Sequence, residues 1–143
     1  MADKKLSVFV YGTLMKGMGN ERVISRFRRK HIPAKISGVD MYSVGGFPAL
    51  VRGTGSYWGE LVVFDESVDP EELYADMDWL EGYRKYSKGT SMYLREPVTV
   101  VLKDGSSVDT EFYLWNRDVS HLVKIDPEEF SSYRDFCKRR YSA

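Results

Sequence analysis

Between Lys35 and Phe64 the chain alternates between apolar, β-branched runs and glycine turns at intervals too short for helices. Lys35 to Val44 reads as a strand, Gly45-Gly46 as a turn and Phe47-Pro48-Ala49-Leu50-Val51 as a short apolar return. Gly53-Thr54-Gly55 turns again into a strong strand, Tyr57 to Phe64. Strands this close in sequence, joined by glycine turns, predict an antiparallel sheet or a small barrel. Two more follow, Tyr93 to Leu102 and Val108 to Trp115, about the turn Asp104-Gly105, with Pro97 marking an edge or a bulge. At the N-terminus Leu6 to Tyr11 adds a buried strand that stops at Gly12.

Helix signals are few. Asp69-Pro70-Glu71-Glu72 opens one with an N-cap, a proline at the first position and acids in the first turn. Leu73, Met77 and Leu80 form its buried stripe, and Gly82 ends it. Asp126-Pro127-Glu128-Glu129 repeats the opening, with Phe130, Tyr133 and Cys137 as the stripe. Asn20 predicts a third helix, carrying Val23, Ile24 and Phe27 on its apolar face and stopped by Pro33. Arg26, Arg28, Arg29 and Lys30 crowd its end, where cations complement the dipole; that reading is preferred to a nucleic-acid patch. With no linker or low-complexity stretch, residues 1–143 are expected to form a single domain.

Lys+Arg and Asp+Glu both number 21, so zero net charge implies no bulk attraction to nucleic acid or an anionic membrane. No apolar run approaches the ~20 residues of a membrane span. Met1 to Lys5 leads straight into a strand without a cleavage site, unlike a signal peptide. The lone Cys137 excludes an internal disulfide and suits a reducing cytoplasm. His31, His121 and that cysteine are too few for a Cys/His zinc site.

Two stretches stand out chemically. After Tyr11 the loop carries Gly12, Gly17 and Gly19. It is either a tight turn or a row of free backbone N–H groups able to cradle a carboxylate. In the second case Gly12 lets the backbone approach a ligand; in the first it relieves a left-handed turn. A P-loop is excluded, because Met18 and Gly19 stand where Lys and Ser or Thr are needed, and Arg22 replaces the third glycine of a dinucleotide fingerprint. The other stretch is the end of the helix opened by Asp69, where Glu81 meets the negative end of the dipole at the edge of the apolar stripe. A carboxylate so placed is a better base and a functional candidate, or else a surface group paired with Arg84 or Lys85. Asp78 shares that side, either holding Glu81 or facing solvent. Glu60 faces solvent or lines a cavity, and Tyr93, Arg95 and Tyr113 are strand residues able to line the same interior. There is no Gly-x-Ser-x-Gly nucleophile motif, and Cys137 sits as an inert core residue would.

Tyr11-Gly12-Thr13-Leu14 with Leu80-Glu81-Gly82-Tyr83 resembles the γ-glutamylcyclotransferase-like superfamily, which includes γ-glutamylamine cyclotransferases and the plant avirulence-induced proteins. Trp58-Gly59-Glu60-Leu61, Tyr93-Leu94-Arg95 and Phe112-Tyr113-Leu114 fall in matching order, and Met77 replaces the commoner leucine. The resemblance runs from about Val8 to Trp115; Met15 to Asn20 and Arg84 to Met92 are where members vary. It implies an α+β fold, a small mostly antiparallel β-barrel flanked by helices. It also implies intramolecular aminolysis, in which a substrate's α-amine attacks its γ-carbonyl, closing pyroglutamate and releasing an amine or amino acid. Glu81 matches the catalytic carboxylate, and the N–H groups of Gly12, Thr13 and Leu14 match the substrate-holding loop, with Tyr11 and Tyr113 in the site. The expected partner is a small γ-glutamyl molecule, with no cofactor, metal, nucleic acid or membrane, in a monomer or small homo-oligomer. The alternative is a noncatalytic binding module using the same pocket.

Overall fold

The structure, a computed structural model, describes residues 6–12, 14–45, 47–83 and 91–141, without the side chains of 139–141. The strands are β1 (Ser7–Val10), β2 (Arg29–Ser43), β3 (Pro48–Phe64), β4 (Tyr93–Leu102), β5 (Ser107–Trp115) and β6 (Val123–Ile125); the helices are α1 (Pro70–Glu81) and α2 (Tyr133–Tyr141). They form one sheet in the order β1-β3-β2-β4-β5, with β6 also on β2, and every pairing is antiparallel. The class is α+β, as the resemblance implies.

The three strands expected between Lys35 and Phe64 are two long ones. Gly53 and Gly55 lie inside β3 and make a bulge, not a turn: Val39 pairs with both Arg52 and Gly55. The reason is steric. A Cβ on Gly55 would lie 2.8 Å from the Val39 carbonyl oxygen, so a glycine there lets the strands approach, whereas one on Gly53 would meet only the Asp40 carboxylate, at 2.3 Å. The bulge bends the pair. Before it β2 pairs with β4 at Ala34 and Lys35; beyond it Met41 to Ser43 pair with β6. The sheet therefore curls around a core that includes Phe9, Ile36, Met41, Leu50, Tyr57 and Phe112, each 0–1% exposed. The curl stops short of a closed barrel: among the described residues β1 and β5 share no ladder, and the Ser7 and Thr110 hydroxyls meet across the gap at 2.7 Å.

α1 forms as its caps predict. Asp69 Oδ1 accepts the Glu71 N–H at 3.0 Å, and Gly82 adopts the left-handed conformation (φ 65°) that ends the helix. Of the two other helix expectations one fails and one holds only from Tyr133 onward. The segment after Asn20 makes one 3-10 turn (Glu21–Ile24) without a side-chain cap, and Pro33 lies inside β2 opposite Glu60. Its apolar residues span little more than one turn, too few to offset helix nucleation against sheet pairing. Asp126-Pro127-Glu128-Glu129 also stops after a turn, because the Trp58 N–H of β3 takes the Ser131 carbonyl at 2.7 Å. α2 starts afterwards, with Ser132 Oγ accepting the Asp135 N–H at 3.1 Å. No helix among the described residues is long and apolar enough to cross a membrane.

Candidate active site

The curl brings the end of β1 beside the end of α1. Between them lies a cavity of about 280 Å³, lined by Tyr11, Gly12 and Leu14 from the loop, Glu81 from α1, Tyr93 from β4 and Tyr113 from β5. Of the sequence-derived site residues only Thr13 lies outside the described residues. A more open groove of about 860 Å³ runs past Arg52, Asp109 and Glu111 and contains none of them; its size alone gives it no chemistry.

Glu81 is the only acidic or basic side chain in the cavity wall among the described residues. Burial, and then the negative charge of Asp78, push its carboxyl up from 4.5 to about 7. No basic residue occupies the last turn of α1, so the negative end of the dipole also stands unopposed against the ionised form. The tyrosines beside it are committed elsewhere. Tyr11 donates its hydroxyl to the Tyr113 carbonyl, and Tyr93 donates to the Pro48 carbonyl at 2.6 Å. Tyr113 donates to Asp78 Oδ1 at 2.6 Å. Burial raises all three phenols above their usual range, leaving Glu81 to exchange protons near neutrality.

Across the cavity, the N–H groups of Gly12 and Leu14 donate to no described residue. Gly12 does not have a positive φ, and a Cβ there would strike the Pro48 ring at 2.7 Å. Its lack of a side chain thus serves packing against Pro48, and the left-handed turn that would explain a glycine here is absent. Pro48, Phe47 and Met92 also line the cavity; sequence reasoning missed them, since nothing local marks them. Asp78 neither holds Glu81 nor faces solvent freely: Arg95 Nη1 lies 2.8 Å from each of its oxygens. Glu60 lines a separate cavity and anchors the loop, accepting the Lys16 N–H at 2.7 Å with His31 Nδ1 at 3.0 Å. No cluster of metal-ligating side chains occurs among the described residues.

No curated protein matches the chain in sequence. Among solved structures, an uncharacterised protein of Pyrococcus horikoshii matches with a TM-score of 0.60 at 20% identity, over 96% of this chain and 99% of that one. A protein of Arabidopsis thaliana solved in solution matches at 0.66 and 24% identity, over 96% of this chain and 78% of that one. A structure described as a gamma-glutamyl cyclotransferase matches at 0.56 and 18% identity, over 85% and 70%. These likenesses agree on the fold. The model of the family described as gamma-glutamyl cyclotransferase, AIG2-like, matches residues 8–133, and the chain belongs to that family.

Proposed function

We propose that the protein is a γ-glutamyl cyclotransferase, an acyltransferase or lyase releasing pyroglutamate from a small γ-glutamyl amine or peptide, with Glu81 as general acid and base. The observation that carries this is a carboxyl at about 7 in a cavity of about 280 Å³ whose wall also holds Gly12 and Leu14, the N–H groups of which donate to no described residue. A base titrating there is matched to removing a proton from an ammonium at neutral pH and returning it within one turnover. The Glu81 carboxylate takes a proton from the α-ammonium. The freed amine attacks the γ-carbonyl carbon, a C–N bond forms, and the carbonyl electrons move onto oxygen. As the tetrahedral centre collapses, the bond to the leaving nitrogen breaks and Glu81 returns its proton to that nitrogen. The ring nitrogen then gives its second proton to the restored carboxylate, which passes it to the departing amine, so pyroglutamate and an ammonium result with the carboxylate free again.

The cavity wall carries no cationic side chain among the described residues, so the α-carboxylate and developing oxyanion fall to the N–H groups of Gly12 and Leu14, with Thr13 between them. Tyr11 and Tyr113 contribute their ring faces, their hydroxyls being spent on the protein. Holding the γ-glutamyl chain bent supplies several kcal/mol as prepaid entropy, since cyclisation is unimolecular. The test is incubation with γ-glutamyl dipeptides and γ-glutamylamines, following pyroglutamate by mass spectrometry. Glu81→Gln is expected to lower turnover about a hundredfold or more while pyroglutamate still binds. Wild-type binding without any product would leave a binding module instead.

A further inference from the structure

One helical turn before Glu81, Asp78 is tied down from two strands. Arg95 Nη1 of β4 lies 2.8 Å from each carboxylate oxygen, and the Tyr113 hydroxyl of β5 donates at 2.6 Å. Arg95 does not belong to Asp78 alone. Its Nε lies 3.6 Å from Glu111, whose other oxygen accepts the Tyr74 hydroxyl at 2.9 Å, and its guanidinium lies over the Tyr74 ring at 3.9 Å. Two carboxylates thus share one cation, leaving this cluster with an excess negative charge behind Glu81. Around Glu81 itself the described ionisable neighbours are Asp78, Tyr11, Tyr93 and Tyr113, and each phenol is kept neutral by burial.

We propose that Asp78, fixed by Arg95 and Tyr113, is a positioning residue of the site, a standing negative charge that makes Glu81 a proton carrier without itself touching substrate. It meets the Tyr113 hydroxyl and is not part of the cavity wall, so it acts only through Glu81 and Tyr113. Arg95 and Tyr113 both donate to the Asp78 carboxylate, so its oxygens are held in place one helical turn from Glu81. A part-buried anion there disfavours the ionised Glu81, and Asp78 stands next to burial among the causes that raise its carboxyl. Side chains three apart on a helix are close neighbours, so the effect needs no contact.

This inference rests on Glu81 being the acid and base, and its test separates the two. Asp78→Asn keeps the shape and the acceptor for Tyr113, while Arg95→Gln removes the opposite charge. Carboxyl carbon NMR of glutamate-labelled protein, with Glu81 assigned through Glu81→Gln, reads the titration without substrate. Asp78→Asn is expected to lower the Glu81 midpoint by on the order of one pH unit, and Arg95→Gln to raise it. The acid limb of kcat/KM against pH should move the same way, whereas Tyr113→Phe, which keeps the charge, should leave its position in place. A midpoint unmoved in whichever of the two charge variants folds overturns the proposal. Midpoints that move as expected support it even if Glu81→Gln retains full turnover, a result that removes the proposed reaction alone.

Discussion

Gly12 shows how a functional-looking residue can owe its identity to packing. Its position in the loop suggests a backbone close to a ligand, yet the atoms that exclude a Cβ belong to Pro48, at 2.7 Å. Gly12→Ala is therefore expected to lower stability by about 1–3 kcal/mol through overpacking, a loss read from urea unfolding. Pro48 also lines the cavity, so the variant should lose affinity for pyroglutamate in the fraction that remains folded. A variant of native stability would mean that Pro48 yields freely. Glu81 is the opposite case: a carboxylate at the wrong end of a helix, which no packing need explains. Its anomaly is legible because the reasons against it, a helix C-terminus and a nearby apolar stripe, are local in the chain.

The loop after β1 is held in place by other elements more than by itself. Glu60 of β3 accepts its Lys16 N–H at 2.7 Å, Glu21 accepts the Gly17 N–H at 2.9 Å, and Arg134 of α2 donates to the Lys16 carbonyl. Behind them Arg29 of β2 donates to Glu21 at 2.8 Å, and its Nε donates to His31 Nε2, which leaves His31 Nδ1 to donate to Glu60. Glu60→Ala strips an acceptor from the loop and from His31, with an expected loss of about 1–3 kcal/mol. Hydrogen exchange should quicken at Lys16 before it quickens in the β2–β3 pair; uniform change would deny the loop its anchor. The bonds to Glu60 are not visible in sequence, because those partners lie 29 and 44 residues apart. The same division runs through the fold. α1 was legible to the residue because its caps are neighbours in the chain. The segments after Asn20 and Asp126 carry equally good local signals, but strand pairing and the Trp58–Ser131 bond override them. Gly53 and Gly55 read as a turn because the bulge that holds them is made with Val39 and Asp40, far away in sequence. In the site, Glu81, Tyr11, Gly12 and Leu14 could be named beforehand, whereas Phe47, Pro48 and Met92 arrive only through the curl of the sheet.

Glu81 also leaves a mark on the stability of the whole molecule. With 21 basic and 21 acidic residues the net charge near neutrality is zero, so long-range repulsion contributes little slope there and single displaced groups dominate. In the folded protein the Glu81 carboxyl titrates at about 7, against an ordinary 4.5 in the unfolded chain. Between those values the folded state binds the extra proton. Stability therefore falls as pH rises, since its slope follows the protons bound by the unfolded minus the folded state. The contribution is fully present below 4.5 and is lost as pH passes through about 7. Integrated, it amounts to about 3 kcal/mol at most, reduced to the extent that cavity water solvates the anion. Groups held below their usual range, such as Glu21 through the Gly17 N–H, act at the other end, losing their contribution as pH falls, and do not share this window. Glu81→Gln removes the proton without removing the shape. Chemical denaturation of both proteins from pH 4.5 to 8 should show the difference between them growing in favour of the variant and levelling above about 7. A variant less stable than the wild type by the same amount at every pH would show that Glu81 is already ionised when the protein folds, and would take the acid and base role from it.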